Sequence, residues 1–149
     1  MKAAIIYHSS HHLNTKKVLD AIAQCADVTL IDAESGEIPS LISYDLVGFA
    51  SGIYYSHFHK SVITAAENAM MKYKQKVFLL YTCGSIKDYT KEMQDLLKLH
   101  GAVLTGSYCC QGFDTFGPFK VIGGIAKGHP NEDDLKKAVE FFKWLTDSI

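Results

Sequence analysis

A three-layer α/β fold around a five-stranded parallel sheet, in the order 2-1-3-4-5, is predicted from three observations. Near-continuous apolar runs recur, such as Leu46-Val47-Gly48-Phe49-Ala50 and Val77-Phe78-Leu79-Leu80-Tyr81. Runs of this kind suit strands covered on both faces. Segments with apolar residues every three or four positions lie between them. A hydroxyl-rich stretch, Ser9-Ser10-His11-His12-Leu13-Asn14-Thr15, joins the first run to the first helical pattern. Right-handed crossovers and a ligand site after the first strand favour that strand order.

The strands are expected at Ala3–His8, Val28–Asp32, Asp45–Ser51, Lys76–Thr82 and Ala102–Cys109. The first helix follows Thr15, with Val18, Ile22 and Cys25 on one face. A short helical turn is expected after Pro39, where Leu41 and Ile42 are apolar. Val62, Ala65, Ala66, Ala69 and Met70 mark the second helix, and Met93, Leu96, Leu97 and His100 the third, with Gly101 as its C-cap. The last helix has Asn131 as N-cap, three acids in its first turn, and Leu135, Ala138, Val139, Phe142 and Leu145 inward. With 149 residues, no repeat and no linker, the chain reads as one domain over 1–149.

Composition narrows the function. Fifteen basic and 16 acidic residues give a net charge of −1, with no long run of either sign. No nucleic-acid or anionic-membrane surface is therefore expected. No apolar stretch approaches the roughly 20 residues that span a bilayer. Met1-Lys2-Ala3-Ala4 enters a strand pattern at once, so no signal peptide and a cytoplasmic location are expected. The four cysteines form no Cys-x-x-Cys pair and are expected as reduced thiols. Cys109 and Cys110 should face opposite sides of a strand.

Three loops leave strands that should be neighbours. Ser9–Thr15 sets hydroxyls and free N–H groups at a helix start, where the dipole favours a phosphate. Gly52-Ile53-Tyr54-Tyr55-Ser56-His57-Phe58 is unusually aromatic for a connection, while Thr82-Cys83-Gly84-Ser85 is small enough for its backbone to approach a ligand closely. Together they suit a nucleotide-like ligand with a flat ring. From Gln111 to Pro130 the chain has no regular period, yet it carries three phenylalanines. A segment packed over the site or at a partner surface is expected there, with Asp114 and Lys120 as its notable polar groups.

Along its whole length the chain resembles the flavodoxin family. Tyr7, Ser9 and Thr15 match the aromatic residue, the hydroxyl two positions on and the helix-opening Thr of the family's phosphate loop, with Asn14 before the Thr. The loop departs in being one residue longer and in holding Leu13 where glycine is common. A positive φ there would cost ~1 kcal/mol or more. Ser51-Gly52-Ile53-Tyr54 and Gly112-Phe113-Asp114-Thr115 further resemble short, stand-alone members. The resemblance implies a flavodoxin-like fold and noncovalent FMN. Its phosphate would be held by Ser9, Ser10, His12, Asn14 and Thr15, with charge from His11 and His12 when protonated. Ser51, Gly52, Ile53, Tyr54 and Tyr55 on one side and Thr82, Cys83, Gly84 and Ser85 on the other would flank the isoalloxazine, with Asp114 nearby. Gly52 would be the flexible point for a carbonyl that bonds the reduced ring.

Other chemistries fit less well. The histidines His8, His11, His12, His57 and His59 match no established zinc spacing, so no metal site is expected, and His57 and His59 would need help from a carboxylate or thiolate. Gly-x-Ser-x-Gly, Gly-x-Gly-x-x-Gly and an acidic pair after the first strand are all absent, which argues against hydrolase, dinucleotide-binding and receiver readings. The expected function is FMN-dependent electron transfer, to a redox partner protein or a small-molecule acceptor. Two alternatives stay open: an NAD(P)H/quinone-type oxidoreductase, and a flavin-less binding module of the same fold. A pI near 6.6 departs from the strongly acidic balance of low-potential carriers.

Overall fold

A computed structural model describes residues 1–149. Strands β1 (Ala3–His8), β2 (Val28–Asp32), β3 (Leu46–Tyr54), β5 (Lys76–Cys83) and β6 (Val103–Gln111) form a parallel sheet in the order β2-β1-β3-β5-β6. A two-residue strand, β4 (His57–Phe58), folds back antiparallel onto the end of β3. Without that extra strand the order is the expected 2-1-3-4-5, and the fold is flavodoxin-like.

Side-chain alternation divides the core between the two faces of the sheet. Ile6, Val47, Phe49 and Leu79 point to one face and pack under α2 (Lys60–Asn68) and α3 (Lys91–Leu99). Ile5, Phe78 and Leu80 point to the other and pack under α1 (Asn14–Cys25) and α4 (Glu132–Asp147). Cys109 belongs to the first core and Cys110 to the second, as the alternation requires. Gly48 lies beneath the Phe78 ring on the adjoining strand, and a Cβ there would stand 2.4 Å from Phe78 Cζ. The sheet centre thus trades one side chain for a large ring.

Several local expectations are corrected. Strand β3 runs three residues beyond Ser51 because hydrogen bonding continues into the hairpin with β4. The hairpin turns at Tyr55 and Ser56, both at positive φ (48° and 69°). No helical turn follows Pro39; Leu41 to Tyr44 is a single hydrogen-bonded turn, with Leu41 buried and Ile42 exposed. Cys25, Met70 and His100 lie at or beyond helix ends and are exposed, since the chain there has left the sheet surface. Gly101, at φ +70°, ends α3 as expected. Helix α4 opens with a reciprocal capping box between Asn131 and Asp134.

The stretch from Gln111 to Pro130 is ordered by backbone hydrogen bonds rather than by a regular element. Asp114 pairs with Ile125 in an isolated antiparallel bridge, and Gly117–Ile122 forms a 3-10 helix at the tip. This excursion leaves β6 and crosses the carboxyl ends of the neighbouring strands before α4 begins.

Candidate functional site

The loops after β1, β3 and β5 converge on one narrow, open cleft with about 30 Å³ of enclosed space, and the excursion forms its far wall. Ser9, Ser10, His11, Asn14 and Thr15 line it from the first loop, and Gly52, Ile53 and Tyr54 from the second. Thr82, Cys83 and Gly84 line it from the third, and Asp114 from the excursion.

The first loop takes an unusual path. His11, His12 and Leu13 all have positive φ (31°, 61° and 54°), so three consecutive residues with side chains occupy a region that favours glycine. Each carries about 1 kcal/mol or more of backbone strain, and such strain persists only where its surroundings enforce it. Leu13 is 54% exposed, so little burial offsets its share. Beyond the kink, Lys16 N donates to Ser9 Oγ at 3.0 Å, which satisfies one of the first N–H groups of α1. Ser9 keeps its own hydroxyl proton for a further acceptor.

Asn14 and Thr15 are buried where the helix meets the sheet. Thr15 Oγ1 lies 3.0 Å from Thr82 Oγ1, joining the first loop to the third. Whichever hydroxyl accepts in that pair retains a proton to donate elsewhere. Asn14 Nδ2 donates to the carbonyl of Phe113 at 2.8 Å, joining the first loop to the excursion. Asn14 Oδ1 is buried with no partner. An orphaned buried acceptor costs about 1–3 kcal/mol and is satisfied by any donor delivered to it.

Glycines permit the close approaches. A Cβ on Gly112 would stand 2.6 Å from Asn14 Nδ2, and one on Gly84 2.6 Å from Ile125 Cδ1 and 2.8 Å from Asp114 Oδ2. Gly84 thus gives room to the excursion while still lining the cleft.

Aromatic rings crowd the mouth. Tyr54 Oη lies 2.6 Å from Ser10 Oγ, so the hairpin is tied to the first loop. Phe116 sits edge-on to His11 and to Tyr55, with centroids 5.2 Å and 5.0 Å away. The hairpin is also held from outside, where His57 Nδ1 is 2.8 Å from Glu92 Oε2.

Four of the expected site residues stand apart from the cleft lining. His12 is exposed and faces the excursion, with Nε2 3.0 Å from Thr115 Oγ1. Ser51 is fully buried and structural: its hydroxyl donates to Gly52 O and accepts from His59 N. Tyr55 is 80% exposed at the hairpin tip. Ser85 is exposed, and its carbonyl accepts from Tyr89 Oη. Gly112, Phe113 and Phe116 line the cleft without having been singled out with it. Their aromatic, glycine-punctuated run was the available signal.

Two titrating groups are displaced from their ordinary range near the cleft. Burial, reinforced by Cys109, pushes the Cys83 thiol up to about 12. Burial and the neighbouring His8 lower His59, against the opposing pull of Glu34.

Residues 5–110 match the flavodoxin domain family. An uncharacterised protein of Methanocaldococcus jannaschii is 45% identical over 148 residues, covering 96% of this chain and 97% of that one. Oxidised flavodoxin 2 of Bacillus cereus superposes over all of both chains with a TM-score of 0.71 at 18% identity. A flavodoxin of Fusobacterium nucleatum bound to flavin mononucleotide covers 99% of this chain and 96% of its own, with a TM-score of 0.68 at 13% identity. No helix of this chain is long and apolar enough to cross a membrane. The family match runs from within β1 to within β6, so it takes in nearly all of the sheet together with the loops after β1, β3 and β5. On that match and the full-length relative, this chain belongs to the flavodoxin family.

Proposed function

We propose that the cleft binds FMN noncovalently and that the chain transfers electrons through it, to a redox partner protein or a small-molecule acceptor. The observation that carries this reading is the convergence of three unlike loops on one space. A hydroxyl-rich helix start, an aromatic hairpin and a small-residue loop supply what a phosphate, a flat ring and its polar edge each need.

The residues present fit the group. Ser9, Ser10 and Thr15 would hold the phosphate with hydroxyls and with the N–H groups at the start of α1. No Lys or Arg lies between Tyr7 and Thr15, so neutral donors do most of that binding. The unpartnered Asn14 Oδ1 is an acceptor that a ribityl hydroxyl can satisfy. Gly52 to Tyr54 and Thr82 to Gly84 would flank the ring. When bound, the flavin supplies the redox chemistry, and the surrounding contacts set its potential. The Fusobacterium nucleatum neighbour bound to FMN supports the assignment at the level of the fold.

A second reading is an NAD(P)H/quinone-type oxidoreductase. The excursion favours it, since Phe113 and Phe116 stand beside the cleft as a surface for a second flat molecule. A cytoplasmic location accords with either.

Titration of the protein with FMN, followed by the visible spectrum, tests the site. Thr15→Ala and Asn14→Ala are expected to weaken binding while leaving the circular-dichroism spectrum native. Unchanged affinity in both variants refutes this seating of the phosphate and ribityl chain, and a protein that takes up no FMN supports a flavin-less binding module. Reduction by a flavodoxin reductase, set against NADPH oxidation with quinones, separates carrier from enzyme.

A further inference from the structure

His8, Glu34 and His59 arrive from three separate elements: the end of β1, the turn after β2 and the residue before α2. One potential ligand atom from each lies within 4.8 Å of the others. His8 Nδ1 is 3.2 Å from Glu34 Oε2. The two imidazoles stack in parallel, with centroids 3.6 Å apart and an interplanar angle of 11°. His8 is buried and Glu34 is largely exposed, so the trio sits at the protein edge with one side open. None of the three lines the flavin cleft.

We propose that this trio is a binding site for a divalent transition metal of the zinc class. Two imidazoles and one carboxylate are a ligand set that zinc accepts with its fourth position left to water or substrate. Glu34 supplies the carboxylate that the histidines lack in sequence.

Outer contacts are in place for both rings. His8 Nε2 lies 3.4 Å from Ser10 Oγ, and His59 Nδ1 lies 2.8 Å from Ser61 Oγ. A hydroxyl stands at one nitrogen of each ring, where a metal-bound histidine ordinarily has its outer partner. His8 would bind through Nδ1 and His59 through Nε2.

His59 Nδ1 also accepts from Ser61 N at 3.2 Å, which places the proton of the neutral ring on Nε2. Metal capture therefore moves that proton to Nδ1, where it is donated to Ser61 Oγ, and Ser61 N gives up its bond to the ring. No net proton is released by this ring. Metal–ligand distances of about 2.0–2.2 Å require the three groups to close in, and a metal must lie near the plane of each imidazole. The stacked rings accordingly splay apart on binding. Glu37 and Lys60 line the groove beside Glu34 and His59, with opposite charges that leave the carboxylate of Glu34 as the deciding one.

The test uses the whole chain, first stripped by a chelator, with Zn²⁺ in calorimetry and Co²⁺ in absorption spectroscopy. One metal per chain is expected, with the intense visible bands of four-coordinate cobalt and a tautomer change at His59 in nitrogen-15 spectra. Glu34→Gln and His59→Asn should each weaken binding about tenfold or more. Asn is a good helix N-cap, so His59→Asn keeps the start of α2 formed. Unchanged affinity in both variants places the metal at another pair, such as His57 with Glu92 or His129 with Asp134, and overturns the assignment. So does the absence of one-to-one binding at micromolar metal.

Discussion

Replacing Gly112 by alanine tests how the excursion is fastened to the first loop. The added Cβ would stand 2.6 Å from Asn14 Nδ2, 2.8 Å from its Cγ and 2.9 Å from its Cβ. Asn14 is buried at the start of a helix and cannot swing away freely, so its amide must leave the Phe113 carbonyl. The lost hydrogen bond costs about 1 kcal/mol, and stranding a buried polar group adds about 1–3 kcal/mol. Some of this is offset because the displaced amide carries with it an oxygen that already lacked a partner. A net loss of about 2–3 kcal/mol follows once overpacking strain is included. For a domain of this size each kcal/mol lowers Tm by roughly 2–4 °C. Thermal unfolding of Gly112→Ala should thus fall by roughly 4–12 °C. In the Asn14→Ala background, where the two nearest contacts are gone, the same glycine substitution should cost at least about 1 kcal/mol less. Additive effects in the two variants, or a Gly112→Ala midpoint equal to wild type, would refute this fastening.

Four further outcomes follow from the packing, the α4 cap and the buried thiols. Gly48→Ala pushes a methyl into the Phe78 ring at 2.4 Å, so the urea midpoint should drop by the equivalent of about 1–3 kcal/mol or more. Asn131→Ala removes half of the capping box on α4 and should cost about 1 kcal/mol in the same assay. Cys83 and Cys110 are both pushed up to about 12 by burial, so at mildly alkaline pH a thiol reagent should modify Cys25 and Cys109 well before them. The same raised values mean that the folded state favours the neutral thiols. Their stabilising contribution is complete below the ordinary thiol range and declines as pH rises toward 12, which alkaline unfolding curves would show.

Strands β1 and β2 were legible to the residue, because an apolar run flanked by polar turns has few other uses. The hairpin after β3 was not. Its turn residues, Tyr55 and Ser56, take positive φ without glycine or asparagine, so no local signature marks them. The excursion likewise has no period to read, since its order comes from bonds to distant backbone: Gly112 N to Cys83 O, and Phe113 N to His129 O. In the cleft, the residues legible beforehand are those on loops that leave neighbouring strands. His12, Ser51, Tyr55 and Ser85 belong to the same loops but turn outward, are buried beneath, or sit at a tip. Which way a loop residue turns is decided by tertiary contacts such as His12 to Thr115, and these leave no trace in spacing. The left-handed path through Leu13 is the reverse case, where an unusual residue at a glycine position forewarned of strain.

The bond from Asn14 to Phe113 spans 99 residues of chain. During synthesis the first loop emerges early, yet this partner follows only after β6 has left the ribosome. The cleft is therefore completed late, and no nascent fragment ending before Phe113 possesses it. A ligand that needs this wall binds only chains that extend past Phe113, and its affinity adds to the stability of the folded state.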